Sequence, residues 1–195
     1  MHFRLDGACD FMDNGKVLYD KDIREPLFFY LEETYGKIRI LEEKTTGRAR
    51  ADVVMITPQY IYGIEIKSDA DSYTRLKKQV KNYNLYYDRN IIVAGSTHAA
   101  HVAEHVPDTW GIITVELDEK GRVDFYKLRE ASDNPKVRPE NKITFLWRRE
   151  LNRLLEINKL PKYRKMSKEF VQQKLLEKVP GEILWPQAYD ELFDI

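Results

Sequence analysis

Between residues 22 and 35 apolar side chains fall at 23, 27, 28, 30 and 31, the spacing of a helix with one buried face. Asp22 is placed to cap that helix and Gly36 to end it, and Pro26 fits it only near the start. The period then changes. KIRILEE (37–43), ADVVMIT (51–57) and YIYGIEIK (60–67) are rich in β-branched and aromatic residues, and the loop KTTGRAR and a Pro58-Gln59 turn separate them. This predicts a strand followed by a hairpin. Helical spacing returns at 73–88, where Leu76, Val80, Tyr83 and Tyr87 share a face and Asp71 and Ser72 are N-cap candidates. A short apolar strand follows at 91–95, a helix at 97–106, and strands at 110–116 and 122–128. The predicted order is α, three β, α, β, α, β, β, an α/β fold with a mixed central sheet flanked by helices.

Residues 131–141, ASDNPKVRPEN, hold two prolines and few apolar side chains, so they are expected to link a domain of residues 1–130 to a helical extension of residues 142–195. Within the extension 143–158 and 167–179 read as amphipathic helices, and the acidic end after Pro180-Gly181 as one more. With 43% hydrophobic and 33% charged residues among 195, the chain is too apolar for wholesale disorder and too charged for a bilayer. The single cysteine, Cys9, has no partner for an internal disulfide, and the first residues lack the apolar run of a signal peptide. A cytoplasmic protein without a membrane segment is expected.

Charge changes this picture only locally. The 32 basic and 32 acidic residues cancel, which argues against a general polyanion binder. Residues 131–178, however, carry 13 basic and 6 acidic side chains, and residues 179–195 carry four acids and no base. On charge alone this basic segment reads as a solvated helical surface rather than a nucleic-acid face.

The stretch from Arg50 to Tyr83 carries the chemistry. Asp52 and Glu65 each interrupt a strand otherwise suited to a buried sheet, and an unpaired buried carboxylate is costly. Glu65 and Lys67, two apart on a strand, point the same way. Two carboxylates and a backbone carbonyl, that of Ile66, make the oxygen-donor set that Mg2+ or Mn2+ prefers. On the next helix Arg75, Gln79 and Tyr83 stand at i, i+4 and i+8, where they can line the same cleft.

An Asp, a hairpin, Glu-x-Lys and then a helix with Gln-x-x-x-Tyr resembles the PD-(D/E)xK nuclease superfamily. Asp52 matches its Asp, Glu65-Ile66-Lys67 its (D/E)xK, and Gln79 to Tyr83 the Gln-x-x-x-Tyr signature of some members. Ala51 stands where the superfamily name has proline. The stretches RAD (50–52), EIKSDADSYTRLKKQ (65–79) and VPDTWGI (106–112) are similar to bacterial families grouped with MmcB-like DNA repair proteins. More distantly they resemble the virus-type replication-repair nuclease module. The resemblance covers about residues 20–116.

It implies a restriction-endonuclease-like fold and a metal-dependent nuclease that hydrolyses DNA phosphodiester bonds in repair, recombination or defence. Asp52, Glu65 and the Ile66 carbonyl would hold one or two Mg2+ or Mn2+ ions, with an added acid from the first helix. Glu25 is the choice for that acid and Glu43 the rival, while Glu25 could equally close a capping box with Asp22. Lys67 would orient or deprotonate water or steady charge on the phosphate. Gln79 and Tyr83 would brace the site or contact the backbone, and Arg48, Arg50 and Arg75 would bind neighbouring phosphates. A non-catalytic nucleic-acid binder on the same fold and an RNA-directed nuclease are the alternatives. Cutting both strands with one site per chain would be easiest as a homodimer.

Other motifs lead elsewhere. His98, His101 and His105 at i, i+3 and i+7 read as surface residues rather than a zinc site, because no second element adds a ligand. No Gly-rich phosphate loop is present, so no nucleotide cofactor is expected. The helices around KLPKYRKM resemble a DNA-binding SAP-type module, or simply pack on the core through Leu146, Trp147, Leu151, Leu154 and Leu155.

Overall fold

The computed structural model describes residues 17–47 and 49–193; Cys9 and Arg48 lie outside them. Among the described residues six strands form one sheet in chain order: β1 (Arg39–Thr46), β2 (Ala49–Ile56), β3 (Ile61–Lys67), β4 (Arg89–Gly95), β5 (Gly111–Leu117) and β6 (Val123–Arg129). The first three strands are antiparallel, β3 to β5 run parallel, and β6 returns antiparallel. Fold class and strand order follow the hydrophobic pattern.

Helix α1 (Asp20–Tyr35) covers one face by inserting Ile23, Leu27 and Leu31 against Val53, Met55, Ile64 and Ile66. It starts at Asp20 and so runs through Pro26, which removes one helical hydrogen bond; burial of the stripe on both sides of the proline offsets that loss. The other face receives α2 (Leu76–Tyr86) and the C-terminal helices. Gly63 on β3 lets α2 approach, since a Cβ there would stand 2.3 Å from the ring of Tyr87 and 2.7 Å from that of Tyr83.

Two expected elements differ. Residues 97–106 are a four-residue helix, α3 (Ser96–Ala99), followed by a 3-10 turn (Val102–Glu104). The expected helix at 143–158 begins only at Arg148, after α4 (Pro139–Lys142) and a 3-10 turn (Ile143–Phe145).

The stretch 131–141 is packed against the domain and is no free tether. The Asn134 side chain donates to the carbonyls of Asn84 and Tyr87, and the Arg138 amide and the Asn141 side chain donate to that of Leu85. These carbonyls end α2 and lack helical partners, so the polar residues that looked like a linker serve as a cap. Helices α5 (Arg148–Ile157), α6 (Lys168–Lys178) and α7 (Gly181–Phe193) then bury Leu151, Leu154, Leu175, Leu184 and Leu192 in the same apolar cluster as Val54, Tyr83 and Ile92. A buried cluster joins the two parts: Lys142 Nζ lies 2.8 Å from Asp88 and 3.0 Å from the Tyr189 hydroxyl, which donates to Asp88 at 3.0 Å. Among the described residues no helix is long and apolar enough to cross a membrane.

Candidate active site

The site lies where β2 and β3 part. Their pairing ends at Val53 and Ile64, and on β1 Glu43, opposite Asp52, has φ 50° and is skipped in the ladder. A non-glycine residue in that region carries strain, and here the kink resets side-chain alternation. Leu41 and Thr46 both face α2, as do Ala51 and Val54, which a regular strand does not permit.

Into the gap comes the Tyr83 hydroxyl. It accepts from the Asp52 amide at 3.3 Å and donates to Glu65 at 2.7 Å, with the Ile64 carbonyl at 3.3 Å. It thus stands where the ladder would have continued. Asp52 makes the second bridge, its carboxylate accepting from the Ile66 amide at 2.9 Å. The N–H and C=O of one strand residue point to the same side, so the Ile66 carbonyl also faces this gap.

Glu65 is 1% exposed and Lys67 4%, on the central strand and facing α2. Lys67 Nζ lies 2.7 Å from Glu65 Oε1, and the Gln79 side-chain amide donates to that same oxygen. The other Gln79 side-chain atom, Oε1, is buried with no hydrogen-bond partner among the described residues. Trp110 packs behind Tyr83, ring centroids 5.4 Å apart, and is fixed by a 2.8 Å bond from its indole to Asn84. Burial, reinforced by the charge of Glu65, pushes the Asp52 carboxyl up to about 7, against the Ile66 hydrogen bond. Burial and Glu65 also push the Tyr83 hydroxyl well up, so it stays protonated.

The structure therefore brings Asp52, Glu65, Lys67, Gln79 and Tyr83 together. Arg50 is exposed at the rim and pairs with Glu43 at 3.2 Å; Arg75 is exposed at the start of α2. Glu25 does not reach the cleft. It is exposed beside Phe29 and Asp124, over the opposite end of the sheet. Asp20 and Arg24 take its place. Arg24 donates to Asp20 at 2.6 Å and to the Asp52 carbonyl at 3.2 Å, and stands 3.9 Å from the Asp52 carboxylate, 3.5 Å from Glu42 and 3.9 Å from Glu43. The signal was present in the helical phase. At 3.6 residues per turn Asp20 falls on the stripe of Ile23, Leu27 and Leu31, whereas Glu25 lies about 160° from its centre.

Glu42 and Glu43 both reach Arg24 because the kink breaks their alternation. His98 and His105 flank the Tyr73 ring and His101 pairs with Glu104, so the three histidines do not converge. Among the described residues no three His, Cys, Asp or Glu side chains form a ready metal cluster. The donor chemistry nevertheless suits a hard cation. The buried Glu65 carboxylate and the partly buried Asp52 carboxylate face one gap, the charge of Glu65 raises the pKa of Asp52, and a buried amide oxygen lacks a partner among the described residues.

A solved structure, SfsA of Pyrococcus furiosus in complex with Ca2+, aligns with 63% of this chain and 67% of its own at 14% identity and a TM-score of 0.38. Among curated proteins none matches. The family described as bacteriophage P4 protein cII matches residues 24–190, a span that takes in the sheet, the cleft and the C-terminal helices together. The chain belongs to that family.

Proposed function

We propose that the protein is a metal-dependent nuclease hydrolysing phosphodiester bonds in DNA. One observation carries this reading: a buried Glu65 held by Lys67, Gln79 and Tyr83 directly beside a second carboxylate, Asp52, whose charge is poorly compensated. Asp52, Glu65 and the Ile66 carbonyl would hold Mg2+ or Mn2+. Such an ion lowers the pKa of a water bound to it and offsets charge on the phosphate. Gln79 and Tyr83 fix the Glu65 carboxylate by hydrogen bonds to its two oxygens. Lys67, whose Nζ lies 2.7 Å from Glu65, would orient a water or steady the phosphate. Arg75, exposed at the start of α2, and Arg50, exposed at the rim in its pair with Glu43, would meet flanking phosphates.

The test is a labelled panel of single-stranded, duplex, nicked, flapped and four-way-junction DNA, with RNA, incubated in Mg2+ and in Mn2+ with wild-type and Glu65→Gln protein. Gln keeps the shape of Glu65, which Ala would not do beside a buried lysine. Cutting by the wild type alone supports the reading; no cutting of any member by folded wild type contradicts it. A second reading rests on the hydrogen bonds to both Glu65 oxygens: a platform that binds nucleic acid without catalysis could use this cluster as it stands. That platform would show no stabilisation by Mg2+ or Mn2+ that depends on Asp52.

A further inference from the structure

Beside the cleft, Trp147 precedes α5 with 63% of its surface exposed. Its position is fixed: its amide donates to Glu150, which is 1% exposed, and its neighbour Leu146 is buried. A large indole held outward on a rigid turn marks a surface that meets something. Lys44 Nζ stands 5.5 Å and Lys168 Nζ 5.9 Å from the ring centroid. Among the described residues neither lysine has a carboxylate partner; Lys168 donates only to the Thr144 carbonyl. Burial and the charge of Lys44 push the Lys168 pKa down, against the opposing charges of Glu169 and Glu150. Trp147, Phe145, Leu41 and Lys44 line a groove of about 370 Å³ along the edge strand β1, together with Arg39 and with Glu42, whose carboxylate lies 3.5 Å from Arg24.

We propose that this groove binds a single nucleic-acid strand, one unpaired base stacking on Trp147 and the adjoining phosphates meeting Lys44 and Lys168. An indole offers a base a flat apolar face, and the two ammonium groups supply the positive charge that balances the phosphates. A duplex is excluded from this mode, because each of its internal bases already has both faces covered. Lys44 pairs across the ladder with Ala51, the residue before Asp52, so a strand lying on it continues to the splayed ends of β2 and β3. The inference deepens the nuclease reading by naming the substrate class, and it rests on that reading only for what happens after binding.

The test measures binding without cleavage, by fluorescence anisotropy in EDTA, with fluorescein-labelled oligothymidylate, oligouridylate and a blunt duplex of equal length. Trp147→Ala in the full chain, with an unchanged melting temperature, is expected to weaken single-strand binding about 5- to 100-fold and to leave duplex binding near wild type. Trp147→Phe should retain most of the affinity. Lys44→Ala with Lys168→Ala should lower the slope of log affinity against log salt by about 0.7 for each lysine. The two single-stranded probes tell DNA from RNA, and tighter binding of either supports the platform. Wild-type affinity in Trp147→Ala, or an equal loss on the duplex, would overturn it. A chain that cuts nothing in Mg2+ or Mn2+ but loses strand affinity with Trp147→Ala would sink the nuclease reading alone.

Discussion

The sheet carries two buried clusters of the same composition, a carboxylate, a lysine and a tyrosine, and they differ in closure. In the first, Asp88 accepts from Lys142, from the Tyr189 hydroxyl and from the Ile61 amide, and Lys142 also sits 3.8 Å from the centre of the Trp185 ring. Every charge there has its partner, and the partners of Asp88 come from three distant segments. In the second, Glu65 is equally well held by Lys67, Gln79 and Tyr83, but Asp52 stands next to it with a raised pKa and 23% side-chain exposure. The first cluster staples the C-terminal helices to the sheet. The second leaves the charge of Asp52 only partly compensated at an opening, by Arg24 at 3.9 Å and the Ile66 amide at 2.9 Å, which is the condition for binding a cation or a substrate.

The difference can be broken from either side. The largest effect is expected on activity: Glu65→Gln should lower cleavage about a hundredfold or more in a quantified time course, while the fold persists because the hydrogen bonds of the cluster are largely kept. Next comes stability. Lys142→Met strips the cation from buried Asp88 and should cost about 3–5 kcal/mol in urea unfolding, with cutting by the folded fraction unchanged.

A smaller effect separates the clusters by pH. The folded-state pKa of Asp52 is raised, so its stabilising contribution is complete below about pH 4 and disappears as pH climbs through about 7. Metal-free Asp52→Asn should therefore match wild type in acid and exceed it at pH 8 by on the order of 2–4 kcal/mol, read from melting curves. A wild type as stable as Asp52→Asn at pH 8 would mean that the charge is compensated after all. Tyr83→Phe leaves the Asp52 amide without its 3.3 Å partner and Glu65 without its 2.7 Å donor, and should cost about 1–3 kcal/mol in the same unfolding assay.

How far the sequence discloses each cluster follows from its spacing. Asp52, Glu65, Lys67, Gln79 and Tyr83 lie within 32 residues, in elements whose periods are plain, so strand alternation and helical phase suffice to place them on one cleft. Asp88, Lys142 and Tyr189 are 54 and 47 positions apart, and no local period links them. The same limit hides the role of Asn134 and Asn141, whose polar side chains look like those of a tether until the ends of α2 are seen to need donors. Glu25 lies away from the cleft for a different reason: the phase of the stripe at Ile23, Leu27 and Leu31 points Asp20 and Arg24, not Glu25, toward Asp52. The kink at Glu43, which lets both Glu42 and Glu43 turn to Arg24, depends on a backbone conformation that no residue type in KIRILEEK announces.

The most direct measurement is calorimetric titration of the metal-free protein with Mn2+ at neutral pH, comparing wild type with Asp52→Asn and Lys142→Met. Saturable binding by wild type and Lys142→Met, weakened about tenfold or more in Asp52→Asn, is the predicted result. No binding by folded wild type, or equal binding by Asp52→Asn, would contradict the claim that the Asp52–Glu65 pair is built to receive a cation.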